Sequence, residues 1–177
     1  MSQIIPLFKR VAQTVPEQAG VGRVEKFFVF HLDGKNFAIP AVDVTEVAVY
    51  SSIIDVPSSS KIVSGVVNVR GTVIPIVNIR SRLGMQSIFT ADDKTKIVYF
   101  TVKQGFLIGM IVDDIEYRLR DGIIEPDKFA VVEGSSKKLK EVVIEEKEIR
   151  LNLPVFFIDD WIEKDEFCDI EKLLKTF

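Results

Sequence analysis

The chain has 177 residues, 47% of them hydrophobic, enough apolar material for one domain or for two small lobes sharing a core. Its net charge of −3 argues against a nucleic-acid binder that neutralises phosphates with surplus Lys and Arg. The single cysteine, Cys168, excludes an internal disulfide or a zinc cage and fits a reducing cytoplasm.

Residues 1–22 contain Pro6, Pro16, Gly20 and Gly22 and read as a flexible leader or short helix. Pro6, Lys9 and Arg10 interrupt its apolar residues, so it does not read as a secretory signal, and no stretch approaches the roughly 20 apolar residues that span a bilayer.

From Phe27 the chain runs in short Val, Ile and Phe segments separated by Gly, Pro, Ser, Asn and Asp, the punctuation of strands. Strands are predicted at Lys26 to Leu32, Asn36 to Ile39, Val44 to Tyr50, Ser64 to Val69 and Thr72 to Val77. Five more follow at Lys96 to Val102, Phe106 to Val112, Ile115 to Arg120, Leu139 to Glu145 and Glu148 to Leu151. Asp33-Gly34 and Gln104-Gly105 suit tight reversals, because glycine reaches positive φ without a steric penalty. Short helices are predicted over Asn78 to Leu83, capped by Gly84, and from Phe156 onward. In the tail, Ile170, Leu173, Leu174 and Phe177 form a stripe at helical spacing that calls for docking on the core.

Sliding the chain by 70 positions lays Phe27 to Val49 over Ile97 to Leu119, with Phe30 on Phe100, Asp43 on Asp113 and Glu46 on Glu116. The fold class is therefore mainly β: two similar lobes, each a small twisted barrel, closing one shared core.

Between Ser64 and Arg80 two apolar strands meet at Arg70-Gly71. Gly71 supplies positive φ, and Arg70 beside the reversal projects outward. Pro75 lacks an N–H and places its strand at an edge or a bulge. An exposed guanidinium beside aliphatic residues suits a protein partner that offers a carboxylate; the competing reading is an internal ion pair with Glu46 or an aspartate.

The pattern Gly65-x-x-Asn68-Val69-Arg70-Gly71-x-x-Ile74-Pro75-Ile76-x-Asn78-Ile79 resembles the signature of CheW-like domains. The resemblance runs from about Val24 to Trp161 and includes Phe37-Ala38-Ile39-Pro40, Val44-x-Glu46-Val47 and Gly109-Met110-Ile111-Val112-Asp113. It implies two SH3-like five-stranded barrels around a shared core over residues 23–163; the tail over 164–177 lies outside the resemblance and reads, from its apolar spacing, as a short C-terminal helix. It also implies a stand-alone adaptor joining the regulatory domain of the histidine kinase CheA to the cytoplasmic tips of methyl-accepting receptors, and so meeting the membrane only through receptors. Carried over by residue, the receptor-facing groove would use Val44, Glu46, Asn68, Arg70 and Gly71, and the kinase contact Ile39, Pro40 and Val42. Asn78 departs from the aspartate common in the family, and Glu145-Glu146-Lys147-Glu148 replaces a glycine-containing turn. A CheW-like domain of a larger kinase remains an alternative.

An enzyme reading finds no apparatus. The one histidine, His31, stands opposite in phase to Phe28, Phe30 and Leu32 and reads as solvent-facing, with no second His and no Cys partner for a catalytic triad. Asp113-Asp114-x-Glu116 and Asp159-Asp160 read as acidic turns rather than metal ligands, since strand neighbours face opposite sides. Neither a dinucleotide fingerprint nor a P-loop is present, so no catalytic residue, metal or cofactor is assigned. A small-barrel RNA binder is the remaining rival, and its stacking platform would have to come from Phe27, Phe28, Phe30 and Phe37.

Overall fold

The computed structural model describes residues 22–57, 61–85, 89–135 and 137–177. The leader expected over 1–22 falls almost wholly outside the described residues.

Ten strands fill the described chain: β1 (Val24–Leu32), β2 (Lys35–Pro40), β3 (Val44–Val49), β4 (Val63–Val69), β5 (Thr72–Val77), β6 (Lys96–Thr101), β7 (Leu107–Val112), β8 (Asp114–Ala130), β9 (Leu139–Glu146) and β10 (Ile149–Pro154). One helix, α1 (Lys164–Leu174), follows. The strands form two five-stranded sheets, β10-β9-β8-β1-β2 and β3-β6-β7-β5-β4. A parallel bridge between Ala38 and Val155 curls the first sheet toward closure, and a bridge between Ile54 and Val66 does the same for the second. Each sheet is thus a small barrel.

Each barrel draws strands from both copies of the 70-residue repeat. The β1–β2 hairpin belongs to the first barrel and the β6–β7 hairpin to the second. After each hairpin the chain crosses over, so that β3 pairs with β6 and β8 pairs with β1. This is the 70-residue repeat made physical: neither half of the chain holds a complete barrel.

This sharing explains the near-continuous apolar runs of β1 and β6, whose two faces are both covered. Phe28, Phe30 and Leu32 meet Val98 and Phe100 in the core between the barrels. Phe27 and Val29 point the other way, into the first barrel with Val142, Ile144 and Val155, while Ile97 and Tyr99 fill the second with Val67, Ile74 and Ile76. The tail seals the shared core: Phe156, Trp161, Phe167 and Ile170 are all buried in it. Phe156 stacks on Trp161 with ring centroids 5.4 Å apart. A capping box between Glu163 and Glu166 starts α1, and Arg82 ties it down through Glu166 at 2.5 Å and the carbonyl of Trp161.

Several boundaries move from their predicted places. The strand expected over Ile115 to Arg120 continues to Ala130. Asp121-Gly122 resembles a breaker, yet Gly122 is where the strand passes over Phe27, Val142 and Ile144; a Cβ there would lie 2.7 Å from Val142. Pro126 falls in the register shift between Glu125 and Phe129, where the ladder needs no N–H. The last strand begins at Ile149 rather than Glu148 and reaches Pro154. The segment Asn78 to Leu83 is a hydrogen-bonded turn rather than a helix, because the Asn78 side chain accepts the Arg80 N–H and bends the chain at once. Gly84 still takes the left-handed conformation, φ +72°, and any Cβ there would strike the Gly134 backbone at 2.4 Å. Pro75 does not mark an edge: β5 lies between β4 and β7. Val66, opposite it, spends both backbone groups on Ile54, so the Pro75 nitrogen faces β7, whose pairing with β5 begins only at Ile76. The terminal strand here is β4, and its outer side is met at Val66 by Ile54.

Because each barrel borrows strands from the other half, urea unfolding monitored by Trp161 fluorescence and by far-ultraviolet circular dichroism is expected to give coincident single transitions. Separate midpoints would show independently stable barrels. Gly84→Ala is expected to cost about 3 kcal/mol or more, from clash and positive φ together, read as a lowered urea midpoint.

Candidate functional site

Arg70 and Gly71 form the two-residue turn joining β4 to β5, with Val69 paired to Thr72 across it. Both take positive φ, +53° and +87°, so the turn is of the mirror-image kind that suits strand twist. Glycine does this freely, whereas arginine does not. The Asn68 side chain supports the strained turn by accepting the Gly71 N–H at 2.8 Å. Arg70 is exposed and makes no ion pair among the described residues, so the expected alternative of an internal pair with Glu46 is not formed.

Glu46 sits on β3 of the same barrel, opposite Tyr99. One of its carboxylate oxygens, Oε1, is out of water and has no hydrogen-bond partner. Burial, reinforced by the Glu46 charge, pushes the Tyr99 phenol up to about 12. Val44, placed in the same groove by sequence, is only 6% exposed and packs into the shared core beneath. It shapes the surface without offering a partner contact, because it lies where β3 crosses into the second barrel.

The second predicted surface divides in the same way. Ile39 is fully buried in the shared core and Pro40 is buried, since β2 is covered on both faces there. Val42, on the 3-10 turn Ala41–Asp43 that follows β2, is 64% exposed. Pro40, Val42 and Asp43 line an open cleft of about 360 Å³ with the apolar side chains of Ile124, Phe157 and Ile158. Glu25, Asp159 and Asp160 add carboxylates, and Lys103 and Lys140 are its cations. Burial, then the charges of Asp159, Glu25 and Asp160 against the opposing Lys103, raises Asp43 from 3.8 to about 6.

Other candidates are engaged within the fold. Asp113 receives the Arg80 guanidinium at 2.5 Å and the Asp33 N–H at 2.6 Å. Arg80, only 4% exposed, also lies over the Phe89 ring at 4.6 Å; its place in the turn after β5 carries no local signal of burial. Glu116 pairs with Arg120 at 2.5 Å. His31 is partly exposed, with Nδ1 2.6 Å from the Asn36 side-chain oxygen Oδ1 and Nε2 3.8 Å from Glu116. Among the described residues no cluster of His, Cys, Asp and Glu could hold a metal ion. Cys168 is exposed on α1.

Twin barrels carrying an outward arginine at a strained turn and an open apolar-acidic cleft define a scaffold of the protein-binding class. Residues 26–155 match the model of the CheW-like domain, and the chain belongs to that family. It is 26% identical over 127 residues to the chemotaxis protein CheW of Bacillus subtilis (strain 168), covering 71% of this chain and 80% of that one. It is 31% identical over 114 residues to the chemotaxis protein CheW of Thermotoga maritima, covering 64% and 74%. The fold is shared with the scaffolding protein TtCheW from Thermoanaerobacter tengcongensis, with a TM-score of 0.63, 19% identity and coverage of 81% of this chain and 96% of that one.

Asp43 supplies a test of the cleft. Its folded value lies above 3.8, so the folded state holds the proton more tightly than the unfolded chain does. This group's contribution to stability therefore falls as pH rises from about 4 to about 6. Asp43→Asn is expected to flatten that slope and raise stability at pH 7 by on the order of 1 kcal/mol, measured by urea unfolding across pH.

Proposed function

We propose that this protein is a non-catalytic adaptor of chemotaxis-type signalling that joins methyl-accepting receptors to the regulatory domain of the histidine kinase CheA. One observation carries the reading: Arg70, within the family-matched region, is held outward at energetic cost with no internal charge to satisfy. A surface ion pair contributes about 0 to 1 kcal/mol, so stability does not account for a strained, unpaired arginine, whereas recognition of a carboxylate does. In this reading Glu46, Asn68, Arg70 and Gly71 form the receptor-facing surface, with Val44 packed beneath. Val42 and the rim of its cleft form the kinase contact, supported by Ile39 and Pro40. The protein works in the cytoplasm and reaches the membrane through receptors; no helix among the described residues is long and apolar enough to cross one. The relatives named as chemotaxis proteins support the pathway.

The rival RNA-binding reading loses its platform. Phe27, Phe28, Phe30 and Phe37 are all fully buried, so none of these rings is free to stack on a base.

Arg70→Glu is expected to leave circular dichroism and the urea midpoint near wild type while weakening binding to a purified receptor cytoplasmic fragment about 10-fold or more. Equal binding would remove Arg70 from the site. Val42→Asp is expected to weaken binding to the kinase regulatory domain and spare receptor binding, as measured by calorimetry with each partner. Loss of both together, or of neither, would refute two separate surfaces.

A further inference from the structure

The two barrels are built alike around Asp43 and Asp113, which the 70-residue repeat makes counterparts, but the surroundings of these two carboxylates differ in charge. In the second barrel β5 lies parallel to β7, and in the first a parallel bridge between Ala38 and Val155 sets the end of β10 beside β2. β5 and β10 thus hold equivalent positions. The segment after β5 supplies Arg80, which is buried and pairs with Asp113 at 2.5 Å. The segment after β10 supplies Asp159 and Asp160 instead, beside Asp43. Where the second barrel holds a guanidinium, the first is left open as the cleft of about 360 Å³ behind Val42. Among the described residues, Glu25, Asp43 and Asp160 make no ion pair, and the pair formed inside the cleft, Lys103 with Asp159, is 4.0 Å long and uses a lysine side chain that is 79% exposed.

We propose that this cleft receives a cationic side chain, an arginine or a lysine, from an apolar segment of the kinase regulatory domain, supplying from outside the charge that Arg80 supplies to Asp113. The inference rests on the kinase reading of Val42 and adds what that contact recognises. Charge complementarity selects the occupant: four carboxylates converge from β1, the Ala41–Asp43 turn and the Ile158–Asp160 turn, against the two exposed lysines Lys103 and Lys140, and the side chains between them are apolar. A guanidinium can bridge two such carboxylates while its stem covers Ile124 and Phe157. Pairing with a cation requires Asp43 to be ionised. In the free protein burial, then Asp159, Glu25 and Asp160 against Lys103, hold its carboxyl at about 6, so docking releases a proton and affinity rises with pH through that value. A wholly apolar segment would bind the neutral carboxyl better and give the opposite slope.

The test is calorimetry with the purified kinase regulatory domain between pH 5 and pH 8 for wild type, Asp43→Asn and Val42→Ser, each checked for folding by circular dichroism. Wild-type affinity is expected to rise about 10-fold from pH 5 to pH 7, with about half a proton more released at pH 6 than by Asp43→Asn, read from buffers of different ionisation enthalpy. Asp43→Asn is expected to bind about 10-fold more weakly at pH 7 and to vary less than about 2-fold across the range. If Asp43→Asn binds as tightly as wild type at pH 7, or wild-type affinity falls with pH, while Val42→Ser weakens binding, the cleft takes an apolar segment alone: the inference falls and the kinase reading stands. If neither variant alters kinase binding, or wild type does not bind the kinase domain, both fall. If wild type sediments as a dimer that Asp43→Asn dissolves, the occupant is a second copy of this chain and the inference is overturned.

Discussion

The structure depends on the burial of β1 and β6 on both faces. Each of these strands is a wall shared by a barrel interior and the central core, so its side chains must be apolar on both sides. Fully burying such a side chain contributes about 1.5 to 3 kcal/mol, and neither barrel interior alone offers a large cluster. Among the described residues the first is built around eight buried residues and the second around six, whereas the shared core gathers 26. Most of the apolar driving force therefore sits between the lobes. The topology reinforces that arrangement, since the second barrel, β3 to β7, is inserted between β2 and β8 and the chain must leave and return to complete the first.

The two crossings are related by the 70-residue repeat but have diverged in charge. At the second, Asp113 is neutralised by buried Arg80 and fastens the Asp33 turn of the opposite barrel, joining the lobes. At the first, Asp43 holds the equivalent place, but the facing Lys103 N–H goes to Asp159 instead, at 3.2 Å. Asp43 makes no hydrogen bond among the described residues and sits among like charges. One crossing has become a structural lock. The other is an electrostatically unsatisfied cleft with Val42 at its lip, a surface whose charge is available to a partner rather than consumed by the fold.

How much could be read from the sequence follows from how local the determining physics is. The β1 and β6 runs, the Asp33-Gly34 reversal and the Arg70-Gly71 turn announce themselves because apolar runs and turn chemistry act over a few residues. The length of β8 was hidden, because Gly122 and Pro126 look like stops unless the packing under one and the bulge around the other are known. Val44, Ile39 and Pro40 belong to motif-bearing segments, yet their burial is decided by which barrel covers each face, and that requires the crossover topology. Arg80 and Asp113 are 33 positions apart and meet only at a crossing.

Arginine at the β4–β5 turn shows how function is superimposed on this frame. The β1–β2 hairpin uses Asp33 and Gly34 in the same left-handed pair of conformations, φ +50° and +71°, with residues well suited to them. The β4–β5 turn has φ values within a few tens of degrees of these, but places Arg70 where aspartate or asparagine would be easier, at a penalty of roughly 1 to 2 kcal/mol. The Asn68 side-chain bond to Gly71 offsets part of that by holding the turn closed. What the fold gains from the arginine itself is nothing visible within the molecule, neither an ion pair nor a buried stem. A strained residue with no internal reward is accounted for by an interaction made outside the chain.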